Sequence, residues 1–275
     1  MTPRRYITKV KVERVAASLT RRDRELLNTV ARVSVASERQ LRQMRGAESA
    51  SARRLFRMDV ARLVELRVLA RLERRIGGVR SGSDGYVYAL DVVGQRIAQP
   101  SRRSYRPPWT PQPMHLRHAL AVSQLYVDLS RTTTDDVRLT IFDAEPAAWR
   151  FFHGPGGTRL VLKPDAFVVL TGRDYQDRSF IEIDRATESL PRIVDKAKAY
   201  VRYFQSGREQ ERHNVFPLVV WIAPDARRSG RLVEALSRLS ADHWRLFAVT
   251  TDDQAVESLV TGAFAPLTNR KEEIS

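Results

Sequence analysis

The chain has no cysteine among its 275 residues. Disulfides, thiolate zinc sites and cysteine nucleophiles are excluded together, and the composition fits a reducing compartment. Lysine is scarce, with six positions, and arginine supplies the rest of the 47 basic residues. Each lysine is therefore more informative than usual. Long apolar runs are also missing. The longest, VFPLVVWIAP at 215–224, is far shorter than the roughly 20 apolar residues that span a bilayer. The opening MTPRRYITKVKVERV lacks the apolar segment of a secretion signal. No His-x-His or His-x-x-x-His spacing links His115, His118, His153, His213 and His243. That argues against a zinc peptidase and against a relaxase built on a histidine cluster. HGPGGTRL at 153–160 is rich in glycine but lacks the Gly-Lys-Ser/Thr of a phosphate loop, so a hairpin turn is expected there. These absences leave a soluble, cytoplasmic protein with no membrane partner as the expectation.

What is present is positive charge, and it is concentrated. The net charge is +15. Residues 1–117 hold 26 Lys and Arg against 10 Asp and Glu, a net +16, whereas residues 118–275 hold 21 against 22, a net −1. A folded domain with that excess has phosphate backbone as its usual partner. No stretch combines a clean basic face with an apolar face of Trp, Phe and Leu, which sets a membrane surface aside. Hydrophobic residues make up 43% of the chain, enough for a packed core, and the length suits two domains.

Residues 1–98 are taken as the first domain, within which 20–98 read as helices followed by a hairpin. Thr20 is placed to cap TRRDRELLNTVARV, whose Leu26, Leu27, Val30 and Val33 form one stripe. Ser37 starts a second helix with Leu41 and Met44 inward. Ser49 or Ser51 starts a third, with Leu55, Val60 and Leu63 inward. RVLARLERR and GYVYALD follow as strands around a Gly- and Ser-rich turn. This order resembles a winged helix-turn-helix, in which the third helix enters the major groove and the wing touches phosphate or minor groove. Arg53, Arg54 and Arg57 on that helix, with Arg80 and Tyr86 on the wing, are the candidate contacts to double-stranded DNA. The plain alternatives are a solvated basic helix face and a protein-docking module. QPSRRSYRPPWTPQP, residues 99–113, is rich in proline and arginine and reads as a linker.

Residues 114–275 alternate between helical and strand patterns, which predicts an α/β domain with a central mixed sheet. Within it, FIEID at 180–184 sets two acids in an apolar strand. Alternation puts Phe180, Glu182 and Asp184 on one face. Asp165 stands at the start of the preceding strand, in LKPDAFVVL, and antiparallel pairing brings it beside Glu182. Buried carboxylates need a partner. An oxygen-rich group of Asp165, Glu182 and Asp184 suits Mg²⁺ or Mn²⁺. The alternative is a set of salt bridges, with Asp184 against Arg185 or Arg192. Glu145 is a weaker candidate for a further ligand or base.

A Pro-Asp followed by a strand bearing Glu-x-Lys resembles the PD-(D/E)xK nuclease superfamily. Here the residues are Pro164-Asp165 and Glu182-Ile183-Asp184, with aspartate where lysine is usual. On the next helix Lys196 lies about 60° from the centre of the apolar stripe of Ile193, Ala197, Tyr200 and Phe204, and Lys198 about 140°. Lys196 is the candidate for a migrated catalytic lysine, and the bland reading is a rim lysine paired with Glu188 or Asp195. The longer string, IEIDRATES with KAKAY at 196–200, resembles the replication-relaxation family, as do the upstream helices and PDAFVVL. That pattern has glycine where this chain has Ala186. The resemblance implies a plasmid or mobile-element protein acting on DNA in replication and relaxation. Replication or mobilisation proteins are its expected partners, and oligomerisation is left open. Two functions follow from it: a Mg²⁺-dependent nuclease using Asp165, Glu182, Asp184 and Lys196, or a catalytically retired DNA-binding accessory or regulator on the same scaffold.

Overall fold

The computed structural model describes residues 7–72, 85–101, 105, 108, 112–132, 136–265 and 267. Its contacts separate two compact units, Met1–Val127 and Asp128–Ser275. Among the described residues, no helix is long and apolar enough to cross a membrane.

The first unit opens with α1 (Lys9–Ser18) and α2 (Arg21–Val33). Thr20 and Asp23 form a reciprocal capping box at the start of α2, satisfying main-chain N–H groups that a helix terminus leaves unpaired. Strand β1 (Val35–Ser37) runs straight into α3 (Glu38–Arg45), where Ser37 and Gln40 form a second box. Gly46 closes α3 at φ 63°, a conformation glycine adopts without steric cost. Ser49 then caps α4 (Ala50–Glu65). Strands β2 (Leu69–Leu72) and β3 (Val87–Leu90) pair antiparallel, and β1 pairs with the other edge of β3. Helices α5 (Val92–Ala98) and α6 (Pro113–Thr132) complete the unit.

One expectation is corrected here. The inner face of α4 is Phe56, Val60 and Leu63, at i, i+4 and i+7, while Leu55 is 52% exposed. Leu55 sits one 100° step round from Phe56, outside the apolar stripe. Strand β1 was not anticipated, because three residues are too few to show an alternation. The contact boundary between the units falls inside α6. The first part of that helix packs on the first unit: Leu116 joins Val35, Leu72 and Ala89 in one buried cluster. Ser123 Oγ donates to Val35 O at 2.6 Å, and Gln40 Nε2 donates to Leu120 O at 2.8 Å.

The second unit is a mixed α/β fold, as its alternating patterns predict. Strands β4 (Arg138–Ala144), β5 (Arg150–His153), β6 (Arg159–Leu162), β7 (Ala166–Thr171) and β8 (Gln176–Ile183) come first. Helices α7 (Leu190–Gln205) and α8 (Arg208–His213) follow, then β9 (Leu218–Ala223), α9 (Ala226–Leu236), β10 (Phe247–Thr251) and α10 (Ala255–Thr261). The five-stranded sheet has the order β10-β9-β8-β7-β4. β8, β9 and β10 are parallel, and β7 runs antiparallel to both β8 and β4. β5 and β6 form a separate ribbon whose turn is the Gly-rich stretch read above as a hairpin turn. The aromatic core contains Phe180, Tyr200, Tyr203 and Trp221 together with Leu232 and Leu236 of α9. This packing turns one face of α7 onto the end of β8.

Candidate functional site

The antiparallel pairing of β7 and β8 sets the position of Asp165. Its main-chain N–H donates to Ile181 O at 3.0 Å. Its Oδ2 accepts from the Ile183 N–H at 2.7 Å. The carboxylate is thereby pinned at the end of β8. Glu182 lies between those two partners in sequence, and alternation turns its side chain the other way from theirs, toward α7. It is 1% exposed. Tyr200 O–H donates to Glu182 Oε1 at 2.5 Å, and Lys196 Nζ forms an ion pair with Oε2. Lys196 and Tyr200 are one helical turn apart, so a single face of α7 grips both oxygens of one carboxylate. Trp221, the register partner of Glu182 on β9, lies with its ring 5.8 Å from Lys196 Nζ. Lys196 is the outermost member, its side chain 28% exposed.

Burial drives the electrostatics of this cluster. Desolvation pushes the Glu182 carboxyl up from 4.5 to about 8, and the Asp165 charge adds to the rise. Lys196 and the bond from Tyr200 oppose it. For Lys196, burial favours the neutral amine, but the Glu182 and Asp165 charges outweigh it and hold the group protonated. Burial also raises the Tyr200 phenol, and Glu182 raises it further. The folded chain therefore binds a proton at Glu182 more tightly than the unfolded chain does. That contribution to stability is complete below pH 4.5 and is lost as pH rises through about 8. In EDTA, the melting temperature is expected to fall across this window, and Glu182→Gln should remove that share of the slope. An unaltered slope in the variant would assign it to other groups.

Asp184 does not join the pair. It was expected on the Glu182 face as a metal ligand, with Arg185 or Arg192 as the alternative partner. Instead Arg228 Nε donates to its Oδ2 at 2.5 Å and Arg228 Nη2 to its Oδ1 at 3.3 Å. Ala186 N–H also donates to Oδ1, at 3.0 Å. Arg228 is buried and donates in addition to Glu188 O at 2.7 Å. The physical reason is that β8 ends at Ile183. The chain then bends into the turn before α7, which directs Asp184 at the first turn of α9. Ala186 in that turn has φ 57°. Glycine suits such a backbone better than alanine. Arg185 pairs with Asp252 at 2.8 Å. Lys198 is exposed and pairs with Asp195. Glu145 is exposed and accepts from Trp149 Nε1 at 3.0 Å.

Two carboxylates remain for a cation. Among the described residues, no group of three or more Asp, Glu, His or Cys side chains is placed to hold a metal. Asp165 and Glu182 nevertheless fit Mg²⁺ by donor type. That ion is commonly held by one or two carboxylates, with waters and substrate phosphate completing the shell. Tyr200 and Arg228 are the residues that reading the sequence missed. Tyr200 was read as a member of the apolar stripe and of the KAKAY string, not as a partner of Glu182. Arg228 carried no signal.

In the first unit, Arg53, Arg54 and Arg57 are all exposed on α4. Arg53 Nε donates to Glu48 O at 2.9 Å, and Arg57 pairs with Glu38 at 3.4 Å. The Arg71 guanidinium lies 3.5 Å from the centroid of the exposed Tyr86 ring. A groove of about 680 Å³ between α3, α4 and β2–β3 is lined by Arg39, Arg42, Arg57, Arg71, Tyr86 and Tyr88. Arg80 lies outside the described residues.

Comparison with curated proteins and with solved structures gives no match. A family model described as replication-relaxation matches residues 27–219, a span that takes in the second half of α2, all of α3 and α4, the β2–β3 pair, Asp165, Glu182, Lys196 and Tyr200. The chain belongs to the replication-relaxation family.

Proposed function

We propose that the protein binds double-stranded DNA through its first unit and hydrolyses a phosphodiester bond at Asp165, Glu182 and Lys196 with Mg²⁺ or Mn²⁺. The work would serve replication or relaxation of a plasmid or mobile element, alongside replication or mobilisation proteins. The observation that carries the reading is the grip of Lys196 and Tyr200 on Glu182 beside Asp165. Two acids and a lysine meet at one sheet end although the lysine comes from a helix. In the first unit, the order α2-β1-α3-α4-β2-β3 supports a winged helix, with α4 as the groove-reading helix and β2–β3 as the base of the wing.

When bound, the metal ion draws charge from a phosphate oxygen and lowers the pKa of an attacking water. The chain's own part is positioning. Asp165 is aimed by the Ile183 N–H. Glu182 is oriented by Tyr200. Lys196, at the mouth, neutralises charge that develops on the phosphoryl oxygens. The product is a nick or a double-strand break, and a nick relaxes a supercoiled plasmid directly.

A second reading is a DNA-binding accessory on a retired nuclease scaffold. The Lys196–Glu182 contact and the engagement of Asp184 by Arg228 favour it, since both neutralise acids without a cation. Supercoiled plasmid separates the two. On the first reading, Mg²⁺ or Mn²⁺ converts it to open-circular or linear DNA, while EDTA and Glu182→Ala each abolish conversion. Inertness with every metal, with DNA binding intact in Glu182→Ala, sinks the nuclease reading. Binding itself has a separate signature. Each of Arg53→Ala, Arg54→Ala and Arg57→Ala is expected to reduce the slope of log affinity against log salt by about one where that arginine meets phosphate.

A further inference from the structure

We infer that the outer face of the β5–β6 ribbon is a binding surface for an unpaired DNA strand, which it leads to Asp165. The inference rests on the reading of Asp165 and Glu182 as a DNA-acting site and adds to it the form of the substrate.

The ribbon alternates cleanly. Phe152 and Leu162 point inward and are buried in the core. Phe151 is 52% exposed, and Val161, its cross-strand partner, is 40% exposed. His153 and Arg159 form the next pair on the same outer face, and both are exposed. Trp149, half-buried, continues the face one step before β5. Lys163, exposed, continues it one step after β6. A two-sided antiparallel ribbon ordinarily sets polar residues toward water. Here the water-facing side interleaves aromatics with cations and bears no acid of its own strands. Arg159 lies 5.1 Å from the Phe151 ring centroid, and Lys163 lies 4.5 Å from that of Trp149. Arg208 from α8 approaches His153 at 3.5 Å and adds a third cation.

The chemistry selects an unpaired strand. Phosphate alone would require the cations but not the rings, and the bases of an intact duplex are closed to stacking. Single-strand surfaces join a cationic track to aromatic platforms. Side chains two apart on a strand are separated by about 6.6 Å. That is about twice the 3.4 Å spacing along one strand of a stacked duplex. Bases resting on Trp149 and Phe151 would therefore be splayed from each other. The placement matters as well, because β6 ends at Leu162 and only Lys163 and Pro164 separate it from Asp165. A strand lying on the ribbon arrives at the candidate site.

The test uses the full chain in EDTA, so that binding is read without cleavage. Fluorescence anisotropy compares a labelled oligothymidine with a duplex of the same length. Phe151→Ala is expected to weaken oligothymidine binding about tenfold or more. It should leave duplex affinity unchanged, and Phe151→Tyr should keep the wild-type value. Its melting temperature should not move, because the ring is exposed. Arg54→Ala in the first unit should act in the opposite sense, on the duplex. Unchanged oligothymidine affinity in Phe151→Ala overturns the inference, and so does an equal loss for both DNAs. A surface that docks a protein instead would give the first of these results. Failure of plasmid cleavage would leave this binding result standing, so the two proposals fail separately.

Discussion

Replacing Arg228 by leucine is expected to destabilise the protein by about 3–5 kcal/mol, the usual cost of removing one partner of a buried ion pair. Asp184 is fully buried at its side chain, and Arg228 nearly so. Without the guanidinium, the carboxylate keeps the Ala186 N–H. Glu188 O loses its donor as well. The double variant Asp184→Leu/Arg228→Leu should recover much of the loss, since it leaves no buried charge unpaired. Urea midpoints of the wild type, both single variants and the double variant measure this coupling. If instead Asp184 were a metal ligand, Asp184→Asn would abolish the stabilisation that Mn²⁺ gives by binding linkage. The geometry predicts that this variant keeps the Mn²⁺ response while starting from a lower melting temperature.

The second large effect is at Lys196. Lys196→Met should lower plasmid cleavage about 10²–10³-fold, the scale for losing one electrostatic contact to the reacting group. The rate of open-circular product at saturating Mn²⁺ gives the number. The same change alters the titration of Glu182 in a stated direction. Lys196 is one of the groups that pull the Glu182 carboxyl down. Removing it drives that carboxyl further above 8, so the pH at which stability is lost shifts upward. Near pH 6 the methionine keeps the packed stem of the lysine, and Tyr200 still donates to Glu182. Stability there should change much less than cleavage does. A variant that cleaves normally would assign Lys196 to holding Glu182 and nothing more. Arginine is not expected to substitute, because its planar fork is longer and differs in shape from a compact ammonium.

Part of this was legible in the residues. Thr20 and Ser37 were readable as helix caps, and Ser49 as one of two choices with Ser51, because a short polar side chain ahead of an apolar stripe has one local use. Thr20, Ser37 and Ser49 each cap a helix in the structure. Helix α7 was readable from the 3.6-residue period of its apolar stripe. The pairing that sets Asp165 beside β8 followed from two neighbouring strand patterns joined by a turn. Leu55 shows the limit of such reading, because a helical stripe read without its neighbours is uncertain by one residue. Strand β1 shows another, since its pairing is made by β3, some fifty residues away. Helix α6 was readable as a helix, but which unit its apolar face covers depends on Val35, Leu72 and Ala89.

The sequence by itself determined the absence of thiol chemistry, the concentration of positive charge before residue 118, the order of helices and strands, and the pairing of Pro164-Asp165 with Glu182. These are properties of composition and local period, which one stretch of chain contains in full. Only the tertiary structure decided how the acids are used. Glu182 and Asp184 look equivalent in FIEID, two apart on one predicted face. Folding ends the strand between them and sends one to α7 and the other to α9. Lys196 and Arg228 then choose their carboxylates by distance, and distance across a sheet is fixed by packing rather than by spacing along the chain.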